Sequence, residues 1–214
     1  MLDVDYRTRT ARWLLGASAH PGGRRLTEHL LDLLDLPARA RVLDVACGAG
    51  ATLAVLDRRG HAATGVDVQP GTRQAIVGDA HALPLTGDAF DAVLCECALS
   101  TFDRPDAALA EMARVLRPGG VVGMTDVLLA RERASPQVVR AVDRLTTART
   151  LAEYARLAEL AGFMVVRTED RGSDAAALVR RLRRRLPVST TLRACAAAIR
   201  DGSLGYGLLV LEKG

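Results

Sequence analysis

The sequence predicts an α/β fold: a doubly wound, mostly parallel seven-stranded sheet behind an N-terminal helical cap. Three observations carry this. From about residue 40 onward, short apolar segments of strand length alternate with segments of helical periodicity. The strand segments are apolar enough to be covered on both faces, as parallel strands are. The first of them runs into a glycine turn, Cys47-Gly48-Ala49-Gly50, that opens a helix. The 214 residues fit a single domain, 1–214, with 1–36 as the cap and 37–214 as the core.

Within the cap, the break at His20-Pro21-Gly22-Gly23 precedes an apolar helical face of Leu26, Leu30, Leu31, Leu33 and Leu34, and Pro37 ends that helix. Val42 to Ala46 is read as the first strand, followed by a helix around Thr52 to Arg59. Ala63 to Val68 is the second strand, Ala75 to Val77 a short third, and Phe90 to Glu96 the fourth. Asp106 to Leu116 has helical spacing, and Arg117-Pro118-Gly119-Gly120 stops it. Val121 to Asp126 follows as the fifth strand. A helix at Leu151 to Ala161, halted by Gly162, leads to a strand at Phe163 to Thr168. An arginine-bearing helix and an alanine-rich one near Leu192 to Ile199 come next. Gly207 to Glu212 closes the chain, expected as an antiparallel edge strand.

Charge and composition narrow the function classes. The formal net charge is +4, almost all of the positive charge being arginine, with Lys213 the only lysine. In the densest run, Arg180 to Arg185, Leu178, Leu182 and Leu186 stand four apart, so the leucines are expected to pack and the arginines to face water. Aromatic residues are 3%, too few for base stacking to be a main binding mode, which argues against a nucleic-acid partner. No apolar run reaches the roughly 20 residues of a membrane span. The start, Met1-Leu2-Asp3-Val4-Asp5, is acidic where a signal peptide would be basic, so a soluble cytoplasmic protein is expected. The cysteines Cys47, Cys95, Cys97 and Cys195 lack the paired spacing of a zinc knuckle, so no metal is assigned.

The chemistry concentrates in Val42-Leu43-Asp44-Val45-Ala46-Cys47-Gly48-Ala49-Gly50. A glycine turn opening a helix lets backbone approach a ligand closely and offers free N–H groups. Two carboxylates decide which ligand. Asp44, at the strand end, would repel a dinucleotide pyrophosphate but attract a cationic amine. Asp67, ending Gly65-Val66-Asp67, is placed to accept from ribose hydroxyls. The third glycine of the dinucleotide fingerprint is missing, since Ala51-Thr52-Leu53 follow Gly50.

Asp44-x-Ala46-x-Gly48-x-Gly50, then Asp67, then Gly78-Asp79-Ala80, resembles the class I S-adenosylmethionine-dependent methyltransferases, whose fold is Rossmann-like. Leu83-Pro84-Leu85 through Phe90-Asp91-Ala92-Val93, with Glu111-x-x-Arg114-Val115-Leu116-Arg117-Pro118-Gly119-Gly120, resembles the small-molecule branch, which includes the ubiquinone and menaquinone methyltransferases. The resemblance covers about residues 40 to 127. It implies S-adenosyl-L-methionine as cofactor and a small-molecule methyl acceptor as partner. It implies Asp44, Ala46, Gly48, Gly50, Asp67, Val68, Asp79, Ala80 and Glu96 as the residues around the cofactor, with Asp79 and Ala80 flanking the adenine. Ala46 stands where the family often has glycine. Asp91 is read as structural.

The acceptor pocket is expected beyond the carboxyl ends of the strands, where Cys95-Glu96-Cys97-Ala98-Leu99-Ser100 ends the fourth. Strand alternation would put Cys95 and Cys97 on one side and Glu96 on the other. This stretch resembles a group of bacterial methyltransferases with Cys-x-Cys-x-Leu-Ser, and also the arsenite methyltransferases, which bind arsenic through a cysteine here. Against the latter, Leu145 to Thr150 holds no cysteine where those enzymes have a further one. The thiols are thus either soft-metalloid ligands, an apolar pocket wall, or core. His20 is a candidate base or lid residue, with Tyr6 and Trp13 as candidate cofactor cover. With Cys95 and Cys97 it makes up the candidate catalytic set. Two other classes compete: a nicotinamide-dependent oxidoreductase, which Asp44 opposes, and a non-catalytic S-adenosylmethionine-binding module.

Overall fold

The structure, a computed structural model, describes residues 20–186 and 189–214; Tyr6 and Trp13 lie outside them. The first helix, α1 (Gly23–Leu34), begins beyond Gly22, whose φ of 78° lets the chain turn sharply after Pro21. It buries Leu26, Thr27, Leu30, Leu31 and Leu34, close to the expected stripe. The chain then alternates: β1 (Arg41–Val45), α2 (Ala51–Arg58), β2 (Ala62–Asp67), β3 (Ala75–Val77), β4 (Phe90–Glu96), α3 (Pro105–Val115) and β5 (Leu116–Leu129). The second half adds α4 (Pro136–Val142), α5 (Leu151–Leu160), β6 (Phe163–Asp170), α6 (Gly172–Arg185), α7 (Thr190–Arg200) and β7 (Leu204–Lys213).

These strands form one seven-stranded sheet in the order β3-β2-β1-β4-β5-β7-β6. Strands β1 to β5 pair in parallel, and β7 runs antiparallel to both β5 and β6. The expected antiparallel strand is therefore present, but it lies inside the sheet and not at an edge. The reason is hydrophobicity: β7 is buried along nearly its whole length, whereas β6 is largely exposed and takes the edge. The fifth strand also starts earlier than expected. Helix α3 ends at Val115, and Leu116 already pairs with Phe90 before an irregularity restores the register at Ala92 and Val121. Asp91 is structural, as expected: it accepts from the Arg41 amide at 2.6 Å and pairs with Arg117 at 2.9 Å.

The sheet separates two cores. Val93, Cys95, Val122 and Met124 pack against Leu109 and Met112 of α3 and Tyr154 of α5. Ala92, Leu94, Tyr206 and Leu208 face the other way, onto Leu26 and Leu30 of α1, Leu53 and Leu56 of α2 and Ala175 of α6. A smaller cluster lies under α4 and α7. Helix α4 was not anticipated, although Ser135 caps it through the Val138 amide and Pro136 opens it, a local start signal. On α6, Arg180, Arg183, Arg184 and Arg185 are exposed, as expected, while Leu178 and Leu182 are only half-buried. No helix among the described residues is long and apolar enough to cross a membrane.

Chain order reverses between β1 and β4: successive strands build outward from β1 toward β3, and then from β4 toward β6. Ligand crevices in such sheets open at the carboxyl ends of the strands at this point. Asp44, Asp67 and Glu96 stand at or near those ends.

Candidate active site

Beyond β1 the chain enters a turn held in left-handed conformations, with φ of 60° at Ala46, 51° at Gly48 and 80° at Gly50. Ala46 thus occupies a left-handed conformation that glycine takes without penalty and alanine only at a cost. The turn is braced by backbone: Cys47 N donates to Val66 O at 3.2 Å, and Gly71 N to Gly48 O at 2.8 Å. A carboxylate adds to this. Asp67 accepts from the Gly48 amide through Oδ2 at 2.9 Å and from the Gln69 amide through Oδ1 at 2.8 Å. A Cβ built on Gly48 would meet nothing within 4 Å, so its Cα faces open space.

Asp44 is only 3% exposed, yet no donor among the described residues reaches its Oδ2. Burial pushes its carboxyl well above the usual range, and the neighbouring charges of Glu96 and Asp67 push the same way. Burying an unpaired carboxylate is costly, and a cationic partner would offset that cost. The amino group of S-adenosylmethionine fits that requirement.

Toward the outer strands, Val68 is 54% exposed just past β2, and Ala80 is buried. Asp79 is exposed; its Oδ1 accepts from the His81 amide at 2.9 Å and sits 2.6 Å from His81 Nδ1. The His81 amide is the main cause that holds this carboxyl below its usual range.

The Glu96 side chain is only 4% exposed and has partners on three sides. Thr52 donates to Oε2 at 2.8 Å, Thr27 lies 3.0 and 3.1 Å from the two oxygens, and His20 Nε2 is 3.6 Å from Oε1. His20 donates from Nδ1 to the Pro21 carbonyl at 2.9 Å and is itself buried. It is thus brought to the crevice, but its ring is engaged with Glu96 and Pro21.

The cysteine pair departs from expectation. Cys95 faces the α3–α5 core and is fully buried, whereas Cys97 packs on the α1–α2 side. The cause is local: Cys97 has a φ of 57°, so the extended alternation that would align the two thiols ends at Glu96. Its amide nevertheless donates to Thr125 O at 2.7 Å. The thiols do not converge, and no group of three or more His, Cys, Asp or Glu side chains among the described residues could hold a metal ion. Burial raises all three thiols near the site, Cys47 and Cys97 to about 12 and Cys95 well above its ordinary value.

Sequence reasoning missed a polar cluster one residue beyond the level of Glu96. Asp126 is fully buried; it accepts from Ser100 N at 2.8 Å, Ser100 Oγ at 2.6 Å and Val127 N at 2.7 Å. Burial raises it to about 6 against those hydrogen bonds. Beside it, Thr125 and Tyr206 share a 2.9 Å hydrogen bond. The available signal was a carboxylate at the end of an apolar strand, the same signal that marked Asp44.

Comparison with known proteins finds both a similar sequence and similar folds. Residues 43–124 match the family model of a methyltransferase domain. Methyltransferase GfsG of Streptomyces halstedii is 31% identical over 170 residues, which are 69% of this chain and 61% of that protein, so the chain spans less than two thirds of that relative. A phosphoethanolamine N-methyltransferase 2 of Haemonchus contortus, solved in complex with S-adenosyl-L-methionine, superposes with a TM-score of 0.82 at 18% identity, over 98% of this chain and 59% of the other. The [4+2]-cyclase SpnF superposes with a TM-score of 0.71 at 24% identity, over 97% of this chain and 93% of the other. Residues 43–124 therefore match a methyltransferase domain, in a chain that shares its fold with these solved structures.

Proposed function

We propose that the chain is an S-adenosylmethionine-dependent methyltransferase acting on a small-molecule acceptor. The observation that carries this is the buried Asp44 carboxylate, whose Oδ2 has no donor among the described residues, beside the open face of Gly48. Asp44 is suited to the cofactor's amino group, and the backbone from Ala46 to Gly50 to close approach. Asp67 has lone pairs left for ribose hydroxyls beyond the two amides it already accepts. Val68, Asp79 and Ala80 suit the adenine end. Glu96 fits the site by fixing its neighbours. When bound, the cofactor supplies a methyl group already activated on a sulfonium sulfur. What remains for the chain is to align the acceptor with it and to exclude water. Such a site needs no dedicated base, which agrees with a His20 ring committed to Pro21 and Glu96.

A fold that also carries a cyclase does not by itself select methyl transfer, so turnover is the test. The purified chain is incubated with S-adenosylmethionine and a panel of phenols, enols, amines and thiols, and S-adenosylhomocysteine is quantified. Acceptor-dependent formation of S-adenosylhomocysteine is expected. Saturable binding of S-adenosylmethionine with no turnover on any acceptor would favour a binding module.

A further inference from the structure

The Glu96 carboxylate joins three segments distant in sequence. Thr52 stands on the first turn of α2, directly after the glycine turn; Thr27 stands on α1; His20 precedes α1. All three are buried. A carbonyl oxygen only accepts, so His20 Nδ1 carries the proton given to Pro21, which turns Nε2 toward Glu96 and Thr27, the latter at 3.5 Å. Thr27, with one proton to give, donates it to Glu96. A buried carboxylate depends on such donors, and its orientation is set by them. Glu96 is also close enough to Asp44 for its charge to be felt there.

We infer that Glu96 couples cofactor binding to the seating of α1, with Thr27 as a positioning residue that acts through it. The inference rests on the cofactor reading above. Thr52 anchors the start of the helix behind the glycine turn, Glu96 anchors Thr52, and Thr27 anchors Glu96. Loosening α1 then loosens the turn. Because linkage is reciprocal, cofactor binding must tighten α1 in return.

The test uses S-adenosylhomocysteine as the probe, with calorimetry and amide hydrogen exchange. In the wild-type chain, saturation should slow exchange over residues 23–34. Thr27→Val should weaken binding about tenfold, while Thr27→Ser, which keeps the hydroxyl, should stay within about threefold of wild type. The Thr27→Val/Thr52→Val pair should weaken binding less than the product of the single effects, because both act on one carboxylate. Unchanged exchange over residues 23–34 overturns the inference without any variant. So does wild-type affinity in a folded Thr27→Val, a Thr27→Ser as weak as Thr27→Val, or a fully multiplicative double variant. A wild-type chain that binds no S-adenosylhomocysteine overturns the cofactor reading itself.

Discussion

The Gly48 amide donates to Asp67 Oδ2 across 2.9 Å, so one carboxylate at the end of β2 also shapes the glycine turn that follows β1. Asp67 therefore acts in two ways, as a brace for the turn and as an acceptor at the crevice. Asp67→Ala should weaken S-adenosylmethionine binding about ten- to a hundred-fold, from the loss of hydrogen bonds to a charged acceptor worth roughly 1.5–3 kcal/mol. The fold should persist, because β2 is held by its pairing with β1 and β3. Calorimetry on the folded variant checks this; an unchanged dissociation constant would show that the ribose lies elsewhere.

Two glycines near the crevice should respond in opposite ways. At Gly48 an added Cβ meets no protein atom, so Gly48→Ala should cost the fold only the left-handed backbone penalty of about 1–2 kcal/mol while it strongly weakens cofactor binding. Gly48→Val should bind more weakly still. At Gly65 a Cβ would lie 2.7 Å from Cys47 Sγ and 2.8 Å from Leu53 Cδ1. Gly65→Ala should thus act mainly on stability, by about 1–3 kcal/mol. Thermal melts beside S-adenosylhomocysteine titrations separate the two; a Gly48→Ala chain that binds normally would move the ligand away from the turn.

Asp44 should make cofactor binding pH-dependent. Burial, then Glu96 and Asp67, raise its carboxyl in the free protein. A cation placed beside it favours the ionised form, so binding should release a proton and affinity should rise with pH through that raised value. Asp44→Asn should bind weakly and lose the dependence. For stability the same group works in the other direction: its contribution is full below the unfolded value of about 3.9 and is lost as pH rises through the folded value. Calorimetry in buffers of differing ionisation enthalpy counts the protons. Proton uptake on binding would contradict this account.

The thiols should be inert in the native state. Cys47 and Cys97 are raised to about 12 and Cys95 well above its ordinary value, so almost no thiolate is present at pH 8. Disulfide-exchange reagents should label these three only as the chain unfolds. Cys95→Ser should cost about 1–3 kcal/mol, since it puts a hydroxyl into the α3–α5 core. Trivalent arsenic should not bridge Cys95 and Cys97, which face opposite sides of the sheet. Rapid native labelling of both, or arsenic binding that the double serine variant abolishes, would refute the placement.

Local signals made much of this legible in the sequence. Continuous apolar runs marked β1 to β5, and a carboxylate closing a strand marked Asp44 and Asp67, because charge at a buried strand end requires a partner. Nothing local orders the strands: β7 pairs with both β5 and β6, and that position is set by its burial along nearly its whole length while β6 is largely exposed. The partners of Glu96 were hidden for a related reason. Thr27 and Thr52 look like ordinary helix residues, and they meet Glu96 across 69 and 44 positions of chain. The cysteine alignment failed at one dihedral angle, the left-handed φ of Cys97, which residue type did not signal.

Calorimetric titration of the wild-type chain with S-adenosylmethionine, with NADH as the control, tests what Asp44 and the glycine turn bind. One-to-one saturable binding of S-adenosylmethionine that Asp44→Asn strongly weakens is expected, with no binding of NADH. Binding of NADH alone, or S-adenosylmethionine binding indifferent to Asp44, would contradict that expectation.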